Sequence, residues 1–375
     1  MQRLGDYIKE YSARNKLDEE IPVYSVTNSN GFCRDYFGKE VASNNKKTYK
    51  IVPRNAFAYN PSRINVGSVD YQHYEDRVIV SPLYNVFTVD EKILPQYLYF
   101  YLKNPNTIKR IRTVASGSVR DNLKLSMLCE FPIHVPPINK QQNIIEVLEK
   151  IQHIINEKND ELEKLDILIK ARFVEMFKEK YDSFKVDEKL KTTSGGTPKS
   201  SVSEYYDGGD IPWLTSGEVN YGDITKSSNY ITEKGLNNSS AKWVPENSIV
   251  IAMYGATAGK VGIVRYKTTT NQAVCSVLPN DNFNQEFLRY AFQDISEELT
   301  SKAIGGGQPN ISQTIIKNSY IVDAPIEEQE RFASFAKQID KSKFVLSNEL
   351  TMCDFYIRLI HDRVMHGRIN LRVTQ

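Results

Sequence analysis

The sequence contains one unit twice, and the two copies begin about 190 residues apart. A shift of 188 positions lays the segment that begins at Ala115 on the segment that begins at Ala303 without a gap. Each segment runs into a proline, an isoleucine and, three residues later, a glutamine, as PPINKQQ from Pro136 and APIEEQE from Ala324. A period of this size is that of a domain, so we interpret the chain as a tandem duplication rather than a solenoid of short repeats.

The first part of each unit predicts a globule that contains both strands and helices. It is rich in Tyr, Asn, Ser, Gly and Pro, and it contains short apolar runs such as RVIVSPLYNVFTV from Arg77 and NSIVIAMYG from Asn247. Turn residues separate these runs, as expected between strands. A helical pattern follows in both copies, LPQYLYFYLKN from Leu94 and NQEFLRYAFQD from Asn284. The predicted fold class is α/β, with two globules of mixed strands and helices.

The second part of each unit predicts one long helix. Proline suits the first turn of a helix, because the N–H that it lacks would have no partner there. Apolar residues then recur at alternating steps of four and three, the heptad pattern of a coiled-coil seam. The seam residues of the first helix are Ile144, Leu148, Ile151, Ile155, Leu162, Leu165 and Ile169. Those of the second helix include Phe332, Ile339, Leu346, Leu350 and Ile357.

We expect the two long helices to pair with each other in antiparallel orientation. A helix of about 40 residues is roughly 60 Å long, too long for one such globule to bury, and an unpaired apolar stripe would stay in water. The alternative is that each helix belongs to the core of its own globule. Because each globule precedes its helix, antiparallel pairing places the globules at opposite ends, related by a pseudo-twofold axis. The predicted segments are a first globule at 1–137, a central helix at 138–182, a second globule at 183–325 and a C-terminal helix at 326–375.

The sequence offers little for catalysis or metal binding. No two of its four cysteines form a C-x-x-C pair, and no two of its five histidines stand four residues apart. The segment YGATAGKVG has three residues between its glycines and no Ser or Thr after the lysine, so it differs from a phosphate-binding loop. We therefore expect no catalytic residue and no metal site. There is no long apolar run and no secretory signal pattern, so we expect a cytoplasmic protein without membrane contact.

Several loops of the globules carry neutral hydrogen-bonding side chains with scattered cations, as in SVTNSNGFCR, AYNPSRIN and LTSGEVNYG. Asn and Gln can pair with adenine, Arg can pair with guanine, and Ser, Thr and Tyr can contact phosphates or bases. The same residue types are also common in turns and in surfaces that recognise proteins. The loops alone leave DNA binding and protein binding open.

The whole sequence resembles the specificity subunit of a type I restriction-modification system. The resemblance rests on SGGTPKSS and YYDGGDIPWLTSGEV in the second globule, on YGATAGKVG and AYNPSRINVGS, and on PPINKQQ and APIEEQE at the helix starts. It implies two target-recognition domains, each reading one half of a bipartite double-stranded DNA target. The two helices would set the gap between the halves.

The resemblance also implies partners. Such subunits bind two adenine-methyltransferase subunits that carry S-adenosylmethionine, and the assembly recruits ATP-dependent motor and nuclease subunits. The chain itself would hold no cofactor and perform no catalysis. The implied DNA-facing residues of the first domain are Asn28, Asn30, Asn60, Arg63, Ser118 and Arg120. Those of the second domain are Thr215, Ser216, Tyr254, Thr257, Lys260, Asn271, Gln272 and Gln308.

Two alternatives stay open at this point. One is the specificity subunit of a related system whose partner fuses methyltransferase and nuclease in one chain. The other is a catalytically silent scaffold that uses its globules to bind proteins rather than DNA.

Overall fold

The chain forms two compact units in a computed structural model. The first unit consists of residues 1–159 and 347–375, and the second unit consists of residues 160–346. The structure describes residues 2–34, 46–115, 122–302 and 310–363. Each unit contains one globule together with one end of each long helix.

The first unit is built around a four-stranded antiparallel sheet. Its elements in chain order are β1 (Gln2–Arg3), β2 (Ile8–Glu10), β3 (Ser25–Thr27), β4 (Gly31–Cys33), β5 (Lys50–Pro53), β6 (Phe57–Tyr59), β7 (Val69–Tyr71), β8 (Arg77–Val80), β9 (Asn85–Val89), α1 (Pro95–Lys103), α2 (Pro105–Ala115), α3 (Leu125–Cys129), β10 (Pro132–Ile133) and the start of the long helix α4 (Ile138–Phe177). The central sheet has the order β2-β9-β6-β7, while β3 pairs with β4, β5 with β8 and β1 with β10.

The second unit repeats this plan with a larger sheet. Its elements are β11 (Ser183–Lys185), α5 (Val186–Lys189), β12 (Thr192–Ser194), β13 (Ile211–Leu214), β14 (Gly222–Ile224), β15 (Tyr230–Ile231), α6 (Glu233–Asn237), β16 (Trp243–Val244), β17 (Ile249–Ala252), β18 (Val261–Val264), β19 (Thr268–Thr270), β20 (Val274–Val277), α7 (Gln285–Asp294), α8 (Ser296–Ser301), α9 (Gln313–Lys317), β21 (Tyr320–Val322) and the long helix α10 (Ile326–Arg363). The sheet order β12-β20-β17-β18 matches β2-β9-β6-β7, and β14 adds a parallel strand. The predicted mixed α/β fold is confirmed.

The central strand β17 shows why the predicted apolar runs become sheet strands. All four of its residues are fully buried. Successive side chains of a strand point to opposite faces, so Ile249 and Ile251 enter the core beneath the helices while Val250 and Ala252 enter a second core. Strand β6 divides its side chains between two cores in the same way. A strand covered on both faces has no polar positions, which is why these runs are apolar throughout.

Within the first unit, the two long helices run antiparallel. Ile144 and Leu148 of α4 share a core with Ile360 near the end of α10. Further along α4, the Lys158 Nζ lies 3.0 Å from the Glu349 carboxylate. Positions that rise along α4 therefore fall along α10, as antiparallel helices require.

The second unit shows the same orientation independently. Lys343 of α10 forms an ion pair with Asp166 of α4. The Phe173 ring of α4 meets the Phe332 ring of α10 edge-on, with centroids 5.3 Å apart. Phe173 and Phe332 also belong to the main core of this unit, so the helix ends are part of the globule. None of the described helices has the length and apolar character that a membrane crossing needs.

The predicted seam residues are all at least half-buried. Ile144, Leu148, Ile169, Phe332 and Leu346 are buried. The half-buried members are Ile151, Ile155, Leu162, Leu165, Ile339, Leu350 and Ile357. Other large apolar residues of the same helices lie outside the seam and are exposed, for example Ile167 at 59% and Phe355 at 61%. The long helices thus have a covered apolar stripe and a second, open set of apolar side chains.

A buried glutamine fastens each long helix to its globule. Gln141 accepts a hydrogen bond from the Leu94 N–H (2.8 Å), and its amide donates to the carbonyls of Lys92 and Pro136 (both 2.7 Å). In the second copy, Gln329 accepts from the Asn284 N–H (2.9 Å) and donates to the Ala324 carbonyl (2.7 Å). Both side chains are at most 1% exposed. An amide side chain offers two N–H donors and a carbonyl acceptor on one planar group, which suits this arrangement and accounts for the shared glutamine.

Replacing Gln141 by leucine should destabilise the first unit by about 2–4 kcal/mol, because it leaves buried peptide groups without hydrogen-bond partners. The adjacent Gln142 is exposed, so Gln142→Leu is a matched control that should change stability by less than about 0.5 kcal/mol. The measurement is denaturant unfolding together with amide hydrogen exchange at Leu94. Equal effects of Gln141→Leu and Gln142→Leu would show that the buried amide does not fasten the helix.

Candidate nucleic-acid interface

In the second unit, the predicted DNA-facing residues come together where three strands end. Thr215 and Ser216 follow β13, Tyr254 and Thr257 follow β17, and Asn271 and Gln272 follow β19. Strands β13 and β19 are parallel neighbours, so their carboxyl ends meet at one edge. Lys260 lies at the start of β18, which pairs with β17. These seven residues therefore form one continuous region, which we call the second-unit edge.

Hydrogen bonds between the loops fix the second-unit edge. The Thr257 hydroxyl donates to the Ser216 carbonyl over 2.7 Å, and the Asn271 N–H donates to the Leu214 carbonyl over 3.0 Å. The Lys260 Nζ lies 3.5 Å from the Asn220 Oδ1. These contacts hold the loops in one arrangement, so polar groups at their surface are positioned before any ligand arrives.

The side chains of the second-unit edge differ in how accessible they are. Tyr254 and Gln272 are exposed, and Gln272 accepts a hydrogen bond from the Thr197 hydroxyl. Asn271 uses its Oδ1 to accept the Ala273 N–H over 3.1 Å, so this oxygen shapes the loop. Tyr254, Gln272 and Lys260 are the members best placed to meet a ligand, while Thr257 and Asn271 chiefly support them.

Glu218 organises this edge, although the sequence analysis did not select it. Its carboxylate accepts five hydrogen bonds. Two come from the N–H and the hydroxyl of Thr215, in the loop after β13. The other three come from the Ser227 hydroxyl, the Ser228 N–H and the Asn229 amide, in the loop before β15. The sequence does contain a pattern that points to Glu218. Thr215-Ser-Gly-Glu218 has the capping-box spacing, and the structure forms a short helical turn there at Ser216–Glu218.

In the first unit, the predicted residues lie on two neighbouring loops. Asn28 and Asn30 are exposed in the turn between β3 and β4, and Asn60 and Arg63 follow β6. The two loops approach closely at Gly67: a Cβ there would lie 2.6 Å from the Asn28 Oδ1, and its φ is +93°. Only glycine suits this position. We call this region the first-unit edge, because β6 and β17 are equivalent strands.

Cations that the sequence analysis did not select join the first-unit edge. The Lys103 Nζ donates to the carbonyls of Asn28 (3.2 Å) and Gly67 (2.7 Å), which ties the two loops together. Burial lowers the pKa of Lys103, and the nearby Asp70 carboxylate opposes that shift. The Arg112 guanidinium donates to the Asn65 carbonyl over 2.8 Å. These cations come from helices, so no loop motif could identify them.

Asn60 has a structural role at this edge. Its Oδ1 accepts the Ser62 N–H (3.1 Å) and the Ser62 hydroxyl (2.9 Å), which forms the turn that carries Arg63. The Arg63 side chain is exposed. Arg63 is therefore the better candidate for a contact with a ligand, and Asn60 positions it.

Three predicted residues, Ser118, Arg120 and Gln308, lie outside the described residues. Two described residues that follow these positions in the sequence, Leu123 and Ile311, lie beside the first-unit edge and the second-unit edge. The Leu123 N–H donates to the Pro61 carbonyl over 3.1 Å in the first unit, and the Ile311 N–H donates to the Met253 carbonyl over 2.9 Å in the second. Among the described residues there is no group of three or more His, Cys, Asp or Glu side chains that could hold a metal ion.

Comparison with known proteins identifies the family. A family model described as the type I restriction modification DNA specificity domain matches residues 5–164 and again residues 178–351. The chain belongs to this family. The two matches cover the two copies of the repeated unit, so each copy is one specificity domain.

Two curated relatives are type I restriction enzyme specificity subunits. The MjaIX subunit of Methanocaldococcus jannaschii is 29% identical over 186 residues, which span 46% of this chain and 43% of the relative. A subunit of Escherichia coli is 25% identical over 282 residues, which span 70% of this chain and 66% of that relative. The chain thus matches less than two thirds of the length of either relative.

A solved structure shares the fold over nearly the whole chain. It comes from a study of complex assembly and conformational transition in the type I R-M system. The alignment covers 98% of this chain and 97% of that chain, with a TM-score of 0.61 and 16% sequence identity. The predicted architecture of two mixed α/β domains and two long helices is therefore that of this family.

Replacing Glu218 by glutamine should loosen the second-unit edge in a pH-dependent way. Burial alone would raise the pKa of Glu218, but hydrogen bonds from Ser228 and Thr215 outweigh it and lower the pKa below the ordinary value of 4.5. A carboxyl with a lowered folded-state pKa stabilises the fold above its unfolded-state pKa, and this contribution is lost as the pH falls through the folded-state value. Glu218→Gln should therefore cost about 1–2 kcal/mol at pH 7 and progressively less as the pH falls through the folded-state pKa of Glu218.

Unfolding curves and amide exchange at Ser228 check this expectation. Glu246 is exposed in the same unit, so Glu246→Gln is the matched control and should leave both measurements unchanged. A loss of stability in Glu218→Gln that is the same at pH 3 and pH 7 would rule out the charged hydrogen bonds as its cause.

Proposed function

We propose that this chain is the non-catalytic DNA-specificity subunit of a type I restriction-modification complex, and that it reads a bipartite double-stranded target with one half-site per unit. The observation that carries the proposal is the recurrence of a polar edge at equivalent strand ends, beyond β6 in one unit and β17 in the other. The family match to both copies supports it.

The chemistry of the two edges suits DNA. The exposed Arg63 and the half-buried Lys260 offer charges for phosphates, and the Asn and Gln side chains beside them offer donor–acceptor pairs for base edges. The two edges differ in sequence: the first has the Asn28 turn and the cations of Lys103 and Arg112, and the second has Tyr254 and Gln272. Different side chains on the same framework would read different half-sites.

We propose that α4 and α10 set the gap between the half-sites and carry the partners. Their open apolar side chains, such as Ile167 and Phe355, lie outside the seam and suit docking of a protein. The proposed partners are two adenine-methyltransferase subunits, which would bind S-adenosylmethionine, and motor and nuclease subunits, which would use ATP. In this proposal the chain needs no cofactor of its own, and it acts in the cytoplasm where the target DNA is found.

Replacing Lys260 by alanine should weaken DNA binding by the assembled complex. The loss of one phosphate contact is expected to weaken affinity about tenfold and to reduce the slope of log affinity against log salt by about 1. Lys191 is exposed at the start of β12, at the opposite end of the sheet from the second-unit edge, so Lys191→Ala is the matched control. Fluorescence anisotropy at several salt concentrations measures both quantities. Equal salt slopes for Lys260→Ala and Lys191→Ala would contradict a DNA contact at this edge.

Removing one heptad from both helices should shorten the gap without changing the half-sites. Residues 159–165 of α4 lie between Lys158 and Asp166, which pair with Glu349 and Lys343 of α10, so segments 159–165 and 343–349 are the ones to delete together. Seven residues of helix span about 10 Å, which corresponds to about three base pairs. Methylome sequencing reads the result.

The control is deletion of residues 159–165 alone, which breaks the pairing of the helices and should abolish methylation. A double deletion that methylates with an unchanged gap would refute the role of the helices as spacers.

A further inference from the structure

A cavity of about 300 Å³ lies in the first unit beside the turn that carries Asn30. Strand β7, helix α1 and helix α4 enclose it. Its lining includes Asn30, Asp70, Tyr71, Tyr74, Tyr99 and Glu149. Tyr74 is 51% exposed and Asn30 and His73 are exposed, so the mouth opens to solvent, while Asp70 is 6% exposed and lies at the base. We call this cavity the tyrosine pocket.

Aromatic faces form the walls of the tyrosine pocket. The Tyr71 and Tyr99 rings meet edge-on with centroids 5.9 Å apart, and the His73 and Tyr74 rings lie 4.1 Å apart. Aromatic faces carry negative charge density and attract cations. The walls are therefore suited to a positively charged planar group.

Two carboxylates add negative charge to the tyrosine pocket. Asp70 accepts the N–H groups of Phe32 (3.0 Å) and Tyr71 (2.8 Å), and it has the Lys103 ammonium nearby. Glu149 projects from α4, and no cation within the described residues pairs with it. Burial, followed by the charges of Asp70 and Glu149, raises the pKa of Tyr71 to about 12. The pocket therefore contains one carboxylate, that of Glu149, that still lacks a cationic partner in the described part of the chain.

The second copy of the unit fills the equivalent place with its own arginine. The aligned helices place Arg289 at the position of Tyr99 and Tyr290 at that of Phe100. The Arg289 guanidinium lies 2.8 Å from Asp340 and 3.1 Å from Glu286, with its carbon 4.3 Å from the centre of the Tyr290 ring. Arg289 is 5% exposed.

The surroundings of Arg289 share a glycine and an aromatic position with the tyrosine pocket. A Cβ on Gly222 would lie 3.8 Å from its Nη1, and Gly222 aligns with Gly31, which lines the tyrosine pocket. Both glycines have positive φ. The counterpart of Glu149 on α10 is Lys337, and Asp340, which pairs with Arg289, lies three positions, or about one helical turn, further along. The second unit therefore shows that this framework can hold a guanidinium between carboxylates and over an aromatic face.

We propose that the tyrosine pocket binds an arginine side chain presented by a protein partner, which takes the place that Arg289 occupies in the second unit. The occupant stacks on the tyrosine rings and pairs with Glu149. A DNA phosphate is excluded because the carboxylates would repel it. A guanidinium fits better than an ammonium, because it is planar, stacks on rings and pairs with carboxylates through several N–H groups.

The test measures binding of acetyl-Gly-Arg-Gly-amide to the full chain without DNA, by NMR of ¹³C-labelled tyrosine rings. Saturable shifts of Tyr71, Tyr74 and Tyr99 are expected with a Kd of roughly 1–10 mM, which is typical of one side chain. The same peptide with citrulline, which is neutral, should not bind, and the lysine peptide should bind at least about threefold more weakly.

Two variants test the pocket itself. Glu149→Gln should weaken binding at least about tenfold, because it removes a charge-assisted hydrogen bond. Tyr99→Arg should abolish binding, because it supplies the guanidinium internally as Arg289 does. Glu146 is exposed on the same helix and does not line the tyrosine pocket, so Glu146→Gln is the matched control and should bind as the parent chain does.

Several outcomes would overturn the proposal. They are equal binding of the arginine and citrulline peptides, equal binding of the lysine peptide, unchanged binding in Glu149→Gln, and no saturable shift at about 50 mM peptide. Preferential binding of thymidine or adenosine would instead assign the pocket to a DNA base. None of these results depends on whether the two edges read DNA.

Discussion

The buried glutamine at the start of each long helix is the contact on which the rest of the structure depends. A helix of this length has most of its surface outside the globule, so its direction is set where it begins. Gln141 and Gln329 satisfy peptide groups of the globule and of the helix entry with the same amide. Because the amide both donates and accepts, a helix that started at another angle would leave buried groups unpaired. The entry angle is thereby linked to the fold of the globule.

Because this arrangement is duplicated, one chain has two units with the same framework, and each unit can carry its own recognition surface. Each unit keeps the sheet, the glutamine and one end of both helices, while the side chains on the loops have diverged. The divergence is clearest where the two copies have different residues at one aligned position. In the second unit Arg289 is buried there and pairs with Asp340, whereas in the first unit Tyr99 lines an open pocket. The framework is therefore duplicated, but the surfaces that it presents differ. A scaffold of this kind suits recognition of two unlike half-sites.

Sequence reasoning found the features that local pattern determines. The heptad spacing predicted both long helices and separated covered residues such as Leu148 from exposed ones such as Phe355. The apolar runs predicted strands β8, β9 and β17, and β17 is apolar throughout because it is buried on both faces. The internal repeat predicted two equivalent domains, and the family match to both copies confirms them. The exact limits of the four segments and the DNA-facing roles stay predictions.

What sequence reasoning did not find depends on contacts between distant segments. Glu218 joins two loops, Lys103 of α1 donates a hydrogen bond to the Asn28 carbonyl, and Glu149 of the long helix lines the same pocket as β7. In each case the partners are separated by at least ten residues or lie on different elements, so no spacing rule reveals them. The capping-box spacing at Thr215 was the exception, since it was visible in the sequence and would have identified Glu218.

The most direct test of the central claim is the methylation pattern that this chain directs. The chain is expressed with an adenine methyltransferase of its own complex in a host that lacks adenine methylation, and the methylome is sequenced. Two short specified blocks at a fixed separation, both methylated only when this chain is present, are the expected result. A single continuous motif, or a methylation pattern that is the same without this chain, would contradict the assignment of one half-site to each unit.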